Sequence, residues 1–111
     1  MDSDAAQPAL PVPPIPVLGG PGERWVITVI GLDRVGIVAG ITSVLAEHRA
    51  NILDIRQTLM EEFFTMLMLV DVSYLKGTAE ALQSALEARG EELGVRVMVQ
   101  HQDVFRFMHR V

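Results

Sequence analysis

The chain has 111 residues, 50% of them hydrophobic, no cysteine and a formal net charge of -5. That suits one domain with one core; without cysteine there are no disulfides or thiolate metal sites, as in a reducing cytosol. The acidic balance argues against nucleic acid as the main partner, no apolar run approaches the ~20 residues of a membrane span, and Asp2 and Asp4 argue against a secretory signal, so a cytoplasmic protein is expected.

All 6 prolines lie at or before Pro21. Residues 1–22 therefore read as a disordered, polyproline-like leader, and its Pro13–Pro16 spacing reads as a floppy extension because no arginine flanks it. The domain is expected over residues 23–103. Trp25 to Ile30 is apolar throughout and predicts a central strand. Ile37, Val38, Ile41, Val44 and Leu45 fall at helical spacing and predict a helix from Ile37 to Ala50, with Asp33 as its N-cap. Asn51 opens the next strand, Ile52 to Met60, with Leu53, Ile55 and Leu59 on one face and Asp54, Arg56 and Thr58 on the other. Glu61-Glu62 makes a tight turn into a third strand, Phe63 to Val72, apolar on both faces. After Lys76-Gly77, a second helix runs from Thr78 to Leu93, with Ala79, Leu82, Ala85, Leu86 and Leu93 on its buried stripe and Gly94 just past its end. Val95 to His101 is the fourth strand, its valines inward, and residues 104–111 form a short amphipathic tail.

The order βαββαβ predicts an α+β, ferredoxin-like sandwich: a four-stranded antiparallel sheet with both helices on one face and the first and third strands central. The other face must be covered. Val26, Ile30, Met60 and Met98 point to it, with either Phe64, Met66, Met68 and Val70 or Phe63, Leu67 and Leu69 from the third strand. Apolar surface of that extent marks an interface. A homodimer is expected, with Phe105, Phe107 or Met108 of the tail contributing; the other reading is that the tail covers its own sheet.

Gly31-Leu32-Asp33-Arg34-Val35-Gly36 is the stretch that carries chemistry. A glycine-bounded turn before a helix exposes unpaired N–H groups, which hold anions. Backbone N–H groups near Val35 and Gly36, with Asp33 and Asn51, supply the donors and acceptors that an α-amino acid needs. Each residue has a second reading. Gly36 either admits a ligand to the backbone or permits tight helix–sheet packing. Asp33 holds a ligand ammonium, caps the helix, or does both. Asn51 bonds a ligand carboxylate or amine, or ends the helix as a turn residue. Arg34 pairs with a carboxylate across the dimer or is a solvated surface arginine. His48 reads as a partner for the helix dipole, and the grouping of His101, Asp103 and His109 has no recognised ligand spacing.

These residues, in register with the βαββαβ pattern, resemble an ACT domain from about Trp25 to Gln100. The family's turn, roughly Asp or Asn, Arg, Pro, Gly, falls on Asp33, Arg34, Val35 and Gly36, and the asparagine that opens its second strand falls on Asn51. The chain is more closely similar to the short UPF0237 proteins. It shares with them the pattern around Asn51-Ile52-Leu53-Asp54-Ile55, the Phe64-Thr65-Met66 strand and an ending like His101-Gln102-Asp103-Val104-Phe105 with Met108-His109-Arg110. It is more distantly similar to glycine-cleavage-system repressors. The resemblance implies a regulator, dimeric or larger, that binds an amino acid at a subunit interface near the first turn, with no catalytic residue and no cofactor. Val35 replaces the family's proline, and Gly31 stands where serine-sensing members carry histidine, which leaves the ligand open.

Two rival activities share the fold. An acylphosphatase would use Arg34 and Asn51, but Asp33 would repel phosphate, and no Ser-His or Cys-His pair lies nearby. An RNA-binding sheet would need a basic rim around its aromatics, which the acidic chain lacks. An interaction module that binds no small ligand remains the main alternative, with Phe105-Arg106-Phe107 as its contact.

Overall fold

The computed structural model describes residues 23–103; the leader expected over 1–22 and the tail expected over 104–111 lie outside them. The elements are β1 (Arg24–Leu32), α1 (Ile37–Glu47), β2 (Asn51–Met60), β3 (Phe63–Asp71), α2 (Ala79–Leu93) and β4 (Val95–His101). They form one antiparallel sheet in the order β2-β3-β1-β4, with β1 and β3 central. This is the ferredoxin-like βαββαβ sandwich expected from the pattern.

Alternation sorts the side chains. Trp25, Ile27 and Val29 of β1 and Phe64, Met66, Met68 and Val70 of β3 face the helices, where they meet Ile37, Ile41, Val44 and Leu45 of α1 and Leu82 and Leu86 of α2. Fully burying each such side chain is worth roughly 1.5–3 kcal/mol. The choice left open for β3 is thereby decided: Phe63, Leu67 and Leu69 take the outer face. Leu32, Phe63 and Met60 stand in one row across three strands of that face, each at least half exposed.

Several boundaries and one face differ from expectation: β1 runs from Arg24 through Gly31 to Leu32 and α2 starts at Ala79. The N-cap of α1 is Gly36, at φ 95° and ψ -2°, with no side-chain cap; Asp33 lies three residues too early and instead donates its backbone N–H to the Glu62 carbonyl (2.9 Å). α1 ends at Glu47 rather than Ala50. Arg49 turns left-handed at φ 61°, and the amides of Arg49 and Ala50 reach back to the carbonyls of Ala46 and Leu45, a Schellman ending. β3 ends at Asp71 instead of Val72, whose amide bonds the Glu23 carbonyl (3.0 Å). Finally, β2 carries a bulge between Ile52 and Asp54. The extra residue, Leu53, is 40% exposed, and Ile52 joins Ile55 against the core in its place.

The second helix starts one residue later than Thr78, which is its N-cap: Thr78 Oγ1 accepts the Ala81 amide at 3.0 Å, and Gly94 follows Leu93 at φ 75°, as expected. Among the described residues no helix is long and apolar enough to cross a membrane.

Candidate functional site

β1 ends at Leu32, and the chain crosses to α1 through Asp33, Arg34, Val35 and Gly36, all exposed. Gly36 is there for its backbone conformation. At φ 95° an L side chain is strained, yet a Cβ built on it meets nothing within 4 Å. Tight helix–sheet packing is therefore not its purpose, and the space above the turn is open. The first intrahelical bond runs from the Gly40 amide to the Gly36 carbonyl (2.8 Å). The amides of Ile37, Val38 and Ala39 precede it and have no helical acceptor. No acidic residue stands in the first turn, so the positive end of the helix dipole is not neutralised locally.

Arg34 has a role that neither sequence reading gave it. Its Nη1 donates to the Leu93 carbonyl at the end of α2 (3.1 Å), where a cation meets the negative end of a helix. A Cβ on Gly94 would come within 2.7 Å of that nitrogen. Gly94 thus serves the left-handed turn and also admits the guanidinium. Gly31, two residues before Asp33, is a glycine that packing requires: its Cβ would stand 2.9 Å from Val95 Cγ1 and 3.1 Å from Val95 Cα.

Asn51 is exposed at the start of β2, paired in register with Asp71. Asp71 pairs with Arg24 at the start of β1, so Asn51 lies at the opposite end of the sheet from Gly36. The eleven residues of α1 separate them by roughly 16 Å of helix. Within one chain, Asp33, Arg34, Val35 and Gly36 are together and Asn51 is apart.

The histidines have structural partners. His48 Nδ1–H donates to the Val44 carbonyl (2.9 Å), serving the end of α1. His101 Nδ1 accepts the Asp103 amide (3.0 Å), which leaves the hydrogen on Nε2, 3.0 Å from Glu23 Oε2. The approach is close but off-line, and neither atom has a hydrogen-bond partner among the described residues. No group of three or more His, Asp or Glu side chains suited to a metal occurs among the described residues, and His109 lies outside them. A separate depression of about 220 Å³ opens on the outer face of the sheet, away from the turn, lined in part by Asp54, Arg56 and Gln102.

The chain as a whole is similar to known proteins. The family model described as ACT domain matches residues 23–100. A UPF0237 protein of Methanocaldococcus jannaschii is 59% identical over 89 residues, covering 80% of this chain and 99% of the relative. The solved ACT domain protein from Streptococcus pneumoniae is 40% identical with a TM-score of 0.65, over 75% of this chain and 93% of that one. A solved protein proposed as a glycine cleavage system transcriptional repressor is 26% identical with a TM-score of 0.60, over 71% of this chain and 45% of that one. The family model and the identity to these relatives agree, and the chain belongs to the ACT domain family and, within it, to the UPF0237 proteins.

Proposed function

We propose that this protein is a regulatory, non-catalytic module that binds an amino acid or a similar small metabolite where two copies meet. The observation that carries the reading is the start of α1: three amides without helical acceptors, no acidic residue and no side-chain cap, beneath open space at Gly36. A ligand carboxylate there would accept charge-assisted hydrogen bonds, each worth roughly 1.5–3 kcal/mol before ordering costs. Asp33 stands close by to take the ammonium. Two or three such bonds give millimolar to micromolar binding, since ~4 kcal/mol corresponds to millimolar, a range suited to sensing metabolite pools.

The place of Asn51 supports an interface site. β2 is an edge strand, exposed along most of its length, and α1 lies on its side of the sheet. A two-fold axis across that edge sets the two α1 helices antiparallel, head beside tail. The turn of one copy then faces the start of β2 in the other, and Asn51 of the second copy completes the set. Calorimetric titration against the common amino acids should give heat with at least one, lost in Asn51→Ala, and light scattering should give a dimer. A monomer at micromolar concentration with no heat from any amino acid would overturn the reading. The exposed row of Leu32, Met60 and Phe63 also suits a dimerisation or interaction module without a ligand; a dimer that gives no heat would select that reading.

A further inference from the structure

We propose that the depression on the outer face of the sheet is a second small-molecule site, built for an aliphatic α-amino acid and independent of the turn at Gly36. Its floor is apolar. Val26 of β1 pairs with Leu69 of β3, Leu67 stands two residues along, and Val26 is only 6% exposed. Its rim is charged with both signs, by Asp54 and Arg56 of β2, with the Gln102 amide alongside.

The bulge in β2 is what puts that pair together. Ile52 faces the helices opposite Val70, and strict alternation from it would turn Asp54 inward. The extra residue, Leu53, resets the register, so that Asp54 stands beside Leu69 and Arg56 beside Leu67, both on the outer face. Bulges re-aim side chains in this way next to functional sites. Asp54 is also held. Its Oδ1 accepts the Ile55 amide at 2.9 Å, leaving Oδ2 facing Arg56 Nε at 3.6 Å. The two side chains are 57% and 79% exposed, so their mutual attraction is slight and an incoming ligand can open it.

The charge pattern selects the ligand. A simple anion is opposed by Asp54 and a simple cation by Arg56, whereas adjacent opposite charges satisfy both. About 220 Å³ lies below the roughly 300–1,000 Å³ of pockets for drug-sized molecules and suits a free amino acid. The apolar floor then takes an aliphatic side chain, with the carboxylate on Arg56, the ammonium on Asp54, and Gln102 able to donate and accept.

Amide NMR of the full chain during titration with L-leucine tests this. Shifts are expected at Val26, Asp54 to Arg56, Leu67 to Leu69 and Gln102. Isocaproate, which lacks the ammonium, and isopentylamine, which lacks the carboxylate, should each bind at least about fivefold more weakly, as should leucine to Arg56→Gln or Asp54→Asn; both side chains are exposed, so these variants should fold. Leucine shifts confined to Val35–Ala39 and Asn51 would overturn this site and leave the interface site standing. Shifts on the outer face alone would bear this site out and leave the interface site untouched, since its ligand need not be leucine. No shift at millimolar leucine, or equal affinity in both variants, would also overturn it.

Discussion

Replacing Gly36 isolates a purely conformational cost. A Cβ there touches nothing within 4 Å, so Gly36→Ala creates no clash and removes no contact. What it does is force an L residue to hold φ 95°, which costs roughly 1–2 kcal/mol. Alanine also restricts the unfolded chain, which offsets about 0.4–1 kcal/mol. The expected loss is about 1 kcal/mol, or roughly 4–8 °C in Tm for a domain of this size, read as a lower urea midpoint at unchanged m. Asparagine is larger than alanine but tolerates positive φ better, so Gly36→Asn should recover part of the loss. Gly90 is the converse case. Its Cβ would come within 2.7 Å of Val97 Cγ2 and 3.1 Å of the Val95 carbonyl oxygen, so asparagine there should be worse than alanine. If Gly36→Asn proved no better than Gly36→Ala, space and not backbone would govern the turn, and the open approach to the α1 amides would be refuted.

Other variants separate caps from bystanders. Thr78→Ala should cost about 1 kcal/mol by losing the bond to the Ala81 amide, whereas Asp33→Ala, which removes no cap, should stay within ~0.5 kcal/mol in the same urea titration. Arg49→Gly should raise stability by about 1 kcal/mol, because Arg49 holds φ 61° at the end of α1; a fall would mean that its side chain makes a contact worth more than the strain. His101→Ala should cost on the order of 2 kcal/mol, since it strands a Glu23 side chain that is only 4% exposed. Glu23→Gln in that background should regain part of it, and the double mutant would show whether the two residues act as a pair.

How much of this is legible in sequence depends on how local each cause is. The strands, both helices and the sheet order follow from hydrophobic period, and Gly94 is legible because a cap acts within its own turn. Asp33 misleads for the same reason: it has the chemistry of an N-cap, but Gly36 enters the helix in a conformation that no neighbouring residue announces. The hold of Arg34 on Leu93 joins residues 59 apart, beyond any local pattern. Leu53 misleads because a period of two carries no mark of an inserted residue. Phe63 and Phe64 compete because both alternating sets on β3 are apolar, and the Glu61-Glu62 hairpin decides between them by register. For the candidate site, the turn is visible as a unit, while the separation of Asn51 from it becomes plain when the strand order sets it beside Arg24 and Asp71.

The first and last strands are immediate neighbours, with Trp25 opposite His101 and Glu23 reaching across to the same histidine. The start of β1 and the end of β4 therefore lie side by side, about 5 Å apart, at the pole of the sheet remote from Gly36. A short peptide can join them, and the chain can be reopened between Glu61 and Glu62, giving a circular permutant that keeps every strand pairing. A reporter joined directly before Glu23 and an acceptor joined directly after Asp103 would start beside each other and away from the β1–α1 turn, forming a proximity pair that should be blind to events at that turn.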